Sequence, residues 1–116
     1  MINLKGIKFS DLKFKKVPER GGFSSHTDIN GFTLSIQARK FSYCSPKANL
    51  DSVDDYNEFE IAIWRKDDPV MNWRTSEFVD VHDDVAGYMN RSEINKVIQK
   101  LLDYKESKES KENKKN

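Results

Sequence analysis

Two stretches of strict apolar–polar alternation, at residues 31–39 and 56–64, are joined by an unpatterned segment, and they constrain this chain more than any other feature. In Gly31-Phe-Thr-Leu-Ser-Ile-Gln-Ala-Arg39, Phe32, Leu34, Ile36 and Ala38 alternate with Thr33, Ser35, Gln37 and Arg39. Alternation with a period of two is the signature of an antiparallel strand with one buried and one wet face. In Tyr56-Asn-Glu-Phe-Glu-Ile-Ala-Ile-Trp64 the same period gathers Phe59, Ile61 and Ile63 on one side. Glu58, Glu60, Ala62 and Trp64 then share the other, so an indole is expected beside two carboxylates. The connection between the strands carries Pro46, Asn49 and three aspartates, residues that interrupt a strand rather than extend it. Connections of this length in small domains are often functional or mobile.

Further strands are expected at residues 12–17, stopped by Pro18, and at 23–29. Asn30-Gly31 is the strongest hairpin signal in the chain. Residues 2–9 read as a short strand or an irregular lead-in, 77–81 as one more strand, and 84–89 as a short extended piece. Ile94, Val97, Ile98, Leu101 and Leu102 recur at the three-and-four spacing of an amphipathic helix. Asn90 with Glu93 forms a capping-box-like start, with Ser92 as a competing cap. These elements predict an α+β fold, an antiparallel sheet of about four to five strands covered on one face by the C-terminal helix. Residues 1–104 form the expected single domain. Residues 105–116 alternate lysine with glutamate and serine, lack apolar residues, and are expected to be a disordered charged tail.

Net charge is close to zero but unevenly spread. Residues 1–50 carry nine Lys/Arg and three Asp/Glu, residues 51–89 three and eleven, and residues 90–116 eight and five. The acidic middle argues for a protein partner with a basic surface and against a dedicated nucleic-acid binder. A nucleic-acid-binding module using the basic N-terminal strand and tail remains the alternative. Cys44 is the single cysteine, which rules out an intramolecular disulfide and a cysteine-based zinc site, and it suits a reducing cytoplasm. The N-terminus lacks the apolar core of a signal peptide, and no stretch approaches membrane-spanning length, so a soluble cytoplasmic protein is expected.

Asp80, His82 and Asp84 are the one cluster resembling a metal or acid–base site, since alternation would set them on one side of a strand, and they carry the third alternative, a small metal-dependent hydrolase. Asp83-Asp84 reads equally well as a turn, which would break that alternation. Cys44 has no partner base, and Gly21-Gly22 lacks the rest of a phosphate loop. No catalytic residue, resident metal or cofactor is expected. Tyr43, Lys47, Asp54, Asp55, Tyr56, Glu58, Glu60 and Trp64 are the expected partner-binding residues, because exposed aromatics beside carboxylates suit a protein partner better than phosphate. Open sheet edges also admit a homodimer.

The run Phe-Ser-Tyr-Cys-Ser-Pro at 41–46, the strand Tyr-Asn-Glu-Phe-Glu-Ile-Ala-Ile at 56–63, and Asp-Val-Ala-Gly-Tyr at 84–88 before the helix resemble small uncharacterised bacteriophage and prophage proteins. Those proteins share a Tyr-Cys-x-Pro step, a Tyr-x-x-x-Glu strand and a Val-x-Gly-Tyr lead into a closing helix. The resemblance spans residues 31–102; the lysine-rich start and the charged tail depart from it. It implies a phage setting and brings no catalytic residues. In that setting, the acidic segment 51–84, the exposed aromatics and the lack of a catalytic constellation lead to the expected function, a non-enzymatic accessory protein acting by protein–protein binding, with anti-CRISPR-like inhibition of a host nuclease complex as its sharper form.

Overall fold

A computed structural model describes residues 7–19, 21–70, 72–81 and 83–104. Among these residues five strands, β1 (Lys15–Lys16), β2 (Phe23–Ile29), β3 (Phe32–Ala38), β4 (Phe59–Arg65) and β5 (Val85–Met89), form one antiparallel sheet in sequential order. Helix α1 (Arg91–Asp103) is the last element among the described residues. The α+β class read from the sequence is therefore the observed one.

The β2–β3 hairpin turns on Asn30 and Gly31, with φ of 52° and 89°, the left-handed pair that a tight turn between twisted strands requires. Asn30 has a second task. Its amide donates to the carbonyls of Leu101 (2.9 Å) and Tyr104 (2.7 Å) at the helix C-terminus, where the Leu101 carbonyl also accepts from the Tyr104 N–H (3.3 Å). At the other end of α1, the Asn90 carboxamide accepts from the Glu93 N–H (2.8 Å) and the Glu93 carboxylate accepts from the Asn90 N–H (2.9 Å). The cap is thus Asn90, not Ser92, and contributes about 1 kcal/mol.

Cross-strand register assigns the faces. Leu34 opposes Ile63 and Ile36 opposes Ile61, and on the other side Ile61 opposes Ala86. These residues join Ile94, Val97, Ile98 and Leu101 of α1 in a single buried cluster. Each fully buried aliphatic side chain stabilises the fold by about 1.5–3 kcal/mol. The periodicity of the helix and that of the strands therefore meet in one core.

Four expectations change. The wet face of β3 is drier than alternation implies, because Thr33 and Ser35 are buried. The reason is that β3 is the middle strand, and the rings of His26 on β2 and Trp64 on β4 lie 5.9 Å apart over it. The strand expected at 12–17 shrinks to Lys15–Lys16, since Phe14 packs on Phe9 and Phe59 instead of extending a ladder. No strand forms at 77–81. Thr75–Glu77 is a 3-10 turn, and the Val79 N–H returns to the Thr75 carbonyl. Partner space along β4 is already occupied: β5 pairs with its first part, and the bridge from Trp73 to Trp64 takes the rest. Thr75 fastens this hand-over, its buried hydroxyl accepting from the Ile63 N–H (2.9 Å) and donating to the Asp84 carbonyl (2.6 Å). The extended piece expected at 84–89 becomes a paired strand of the sheet from Val85 to Met89. The expectations for residues 2–6 and for the tail at 105–116 lie outside the described residues.

Candidate functional site

The long connection between β3 and β4 is pinned to the sheet rather than loose. Ser45 and Glu58 exchange backbone hydrogen bonds, and the Tyr56 hydroxyl donates to the Ala48 carbonyl (2.6 Å) while accepting from the Leu50 N–H (2.8 Å). Cys44 is fully buried, with its sulfur 3.1 Å from the Arg39 carbonyl. The Tyr-Cys-Ser-Pro step is thus a docked element.

Its receptor is a bulge in β5. Gly87 and Tyr88 together face the single residue between Phe59 and Ile61, and Tyr88 adopts φ of 56°, a strained conformation for a bulky residue. The strain redirects the Tyr88 N–H onto the Tyr43 carbonyl (2.8 Å). Gly87 makes the approach possible, because a Cβ there would lie 2.6 Å from the Tyr43 Cβ. The Tyr43 N–H in turn donates to Glu60 Oε1 (3.2 Å), and the Tyr43 and Tyr88 rings lie 6.3 Å apart. The Lys47 ammonium sits 5.0 Å from the Tyr43 ring centroid.

Glu60 marks the junction of two shallow depressions on the outer face of the sheet. One, of about 250 Å³, has Ser35 and Ala62 in its lining together with Gln37, Glu60, Trp64 and Trp73. The other, of about 520 Å³, shares Gln37 and Glu60 and continues to Arg39, Phe41 and Glu19. Trp64 and Trp73 meet edge to face at 5.5 Å, which holds the two indoles as one unit. Phe41, Tyr43, Trp73 and Tyr88 are exposed large rings around this surface, Phe41 at 84% of its area.

The expected partner-binding residues divide. Tyr43, Lys47, Glu60 and Trp64 come together on this surface. Glu58 is half-buried and committed to the Ser45 bridge through its backbone. Asp54 and Asp55 are exposed but sit in a 3-10 turn, and Asp54 lines a separate cleft with Phe9, Arg91 and Asn95. Tyr56 is a correction. It is fully buried, because the strand begins only at Phe59 and the 3-10 turn before it resets the alternation. Trp73 and Tyr88 were not among the expected site residues. Trp73 joins the surface through its bridge to Trp64, and Tyr88 through the bulge.

Asp80 and Asp84 are exposed in irregular chain rather than on a strand, and His82 lies outside the described residues. No group of three His, Cys, Asp or Glu among the described residues is arranged to hold a metal ion. Among the described residues no helix is long and apolar enough to cross a membrane. In comparisons with known proteins, the chain matches no family model, no curated protein and no solved structure.

Burial pushes the Cys44 thiol and the Tyr56 phenol above their ordinary ranges, with desolvation the leading cause in both. A raised acid is stabilised in its neutral form. The stability it contributes is complete below the ordinary thiol and phenol values, about 8.5 and 10, and is lost as pH rises through the folded values. Iodoacetamide is therefore expected to label Cys44 slowly in the native protein and rapidly in denaturant, as followed by intact mass. Native labelling as fast as that of a free thiol would place Cys44 at the surface.

Proposed function

We propose that this protein is a non-enzymatic binding protein whose outer sheet face, centred on Trp64, Trp73 and Glu60, engages a protein partner with a basic surface. The observation that supports this most is the trough itself, in which two locked indoles stand beside a carboxylate that no described lysine or arginine pairs with. Rigid aromatics flanked by polar groups are the usual anchors of protein interfaces. In the phage setting implied by the Tyr43 to Pro46 step and the Gly87-Tyr88 lead, the partner is a host or phage protein. The sharper form of the proposal is inhibition of a host nuclease complex of the CRISPR type.

The test is capture from bacterial host lysate by the tagged full chain, comparing wild type with Trp64→Ala, Glu60→Lys and Asp55→Lys. Trp64→Ala and Glu60→Lys are expected to lower affinity for the captured partner by about 2 kcal/mol or more, roughly thirtyfold. Asp55→Lys, away from the trough, is expected to retain it. Equal capture of the same partner by all variants would move the interface elsewhere.

A further inference from the structure

The trough between Glu60 and the two tryptophans has a chemistry specific enough to define what enters it. Among the described residues lining it, Glu60 alone is charged. Its Oε1 accepts one hydrogen bond, from the Tyr43 backbone, which fixes the carboxylate in place without neutralising it. Arg39, in the adjoining depression, donates instead to the Gln37 carboxamide and to the Gly21 carbonyl at 3.3 Å, and the Lys47 ammonium lies 5.0 Å from the Tyr43 ring centroid without an ion pair to Glu60. Ala62 lies midway between Glu60 and Trp64 on the same face of β4, opposite Ser35 of β3. The floor is thus made of two small side chains, with a carboxylate at one end and indoles at the other.

A ligand that fits has an apolar stem to lie over Ala62 and a cation to meet Glu60. It also gains from flatness, because a planar cation stacks on an indole and presents a fork of donors to a carboxylate. We infer that the trough is the receptor for a single arginine side chain of a protein partner, with the guanidinium on Glu60 and the stem against Trp64 and Trp73. Lysine satisfies the charge but not the planarity. A phosphate-bearing ligand meets the wrong sign.

This inference rests on the reading of the outer face as a protein-binding surface, yet its chemistry can be tested without the partner. The chain has only two tryptophans, so their indole N–H resonances report on the trough directly. The full-length, isotope-labelled protein is titrated with N-acetyl-arginine amide, its lysine counterpart and its citrulline counterpart, which keeps the shape of arginine but lacks the charge. The arginine amide is expected to shift both indole signals with saturation in the millimolar range, and citrulline to leave them in place. Glu60→Gln retains an acceptor for the Tyr43 N–H and so preserves the fold, and it is expected to weaken arginine binding roughly tenfold. An absence of shifts with arginine, an equal response to citrulline, or lysine binding as tightly as arginine would each overturn the inference. Partner capture sensitive to Trp64→Ala alongside a failed titration would leave the binding surface standing and remove only the arginine.

Discussion

Replacing Tyr56 with alanine is expected to destabilise the protein by about 3–5 kcal/mol, the range for truncating a buried aromatic. The side chain is fully buried against Phe23 and Phe59, with ring centroids 6.5 and 6.2 Å away. Its hydroxyl also satisfies two backbone groups of the long connection, at Ala48 and Leu50. Tyr56→Phe separates the two contributions. It keeps the ring and leaves the Leu50 N–H and the Ala48 carbonyl to find water, which is expected to cost about 1–3 kcal/mol. Urea unfolding followed by tryptophan fluorescence measures both. A Tyr56→Ala variant as stable as wild type would return this residue to the surface.

Arg91→Ala carries the second large effect. Arg91 opens α1, where its charge faces the positive end of the helix dipole, an unfavourable place for a cation. The structure offsets this in two ways. The guanidinium donates to the carbonyls of Tyr56 (2.8 Å) and Val53 (3.0 Å), and it lies 5.2 and 5.1 Å from the ring centroids of Phe9 and Phe59. It thereby ties the helix start to the end of the long connection and to the N-terminal segment. Losing two charge-assisted hydrogen bonds and the stacked plane is expected to cost about 3 kcal/mol, with Arg91→Lys recovering less than half because a point charge cannot bridge both carbonyls. Thermal denaturation resolves this, and a change within about 0.5 kcal/mol, the usual scatter for surface sites, would make Arg91 an ordinary surface residue.

Both effects lie where the sequence is least readable. The strands within 31–39 and 56–64, the Asn30-Gly31 turn and the Asn90/Glu93 cap are local signals, each set by residues within a few positions, and all appear in the structure, although Thr33 and Ser35 are buried where alternation sets a wet face. The burial of Tyr56 depends on where the strand starts, and that start is fixed by the Ser45–Glu58 bridge from a distant segment. The same holds for the site. Glu60 and Trp64 follow from period two, whereas the Trp73 indole joins them through an isolated bridge and Tyr43 through a bulge at Gly87-Tyr88. No spacing in the sequence encodes those contacts. Val79 and Val81 show the opposite failure: a strand-like pattern without a free partner strand does not become a strand.

The β1 edge is only two residues long and carries two exposed lysines, which disfavours edge pairing with a second copy. Along β5, the Tyr43 carbonyl already occupies the Tyr88 N–H. On the proposed reading, a partner therefore meets the outer face rather than a sheet edge.

Photo-crosslinking in the bacterial host tests that placement most directly. Benzoylphenylalanine is introduced in place of Gln37, at the rim of the trough, or in place of Lys96, on the exposed side of α1. A defined adduct with a host protein from position 37, absent from position 96, is the predicted result. Adducts from position 96 with none from position 37 would contradict it.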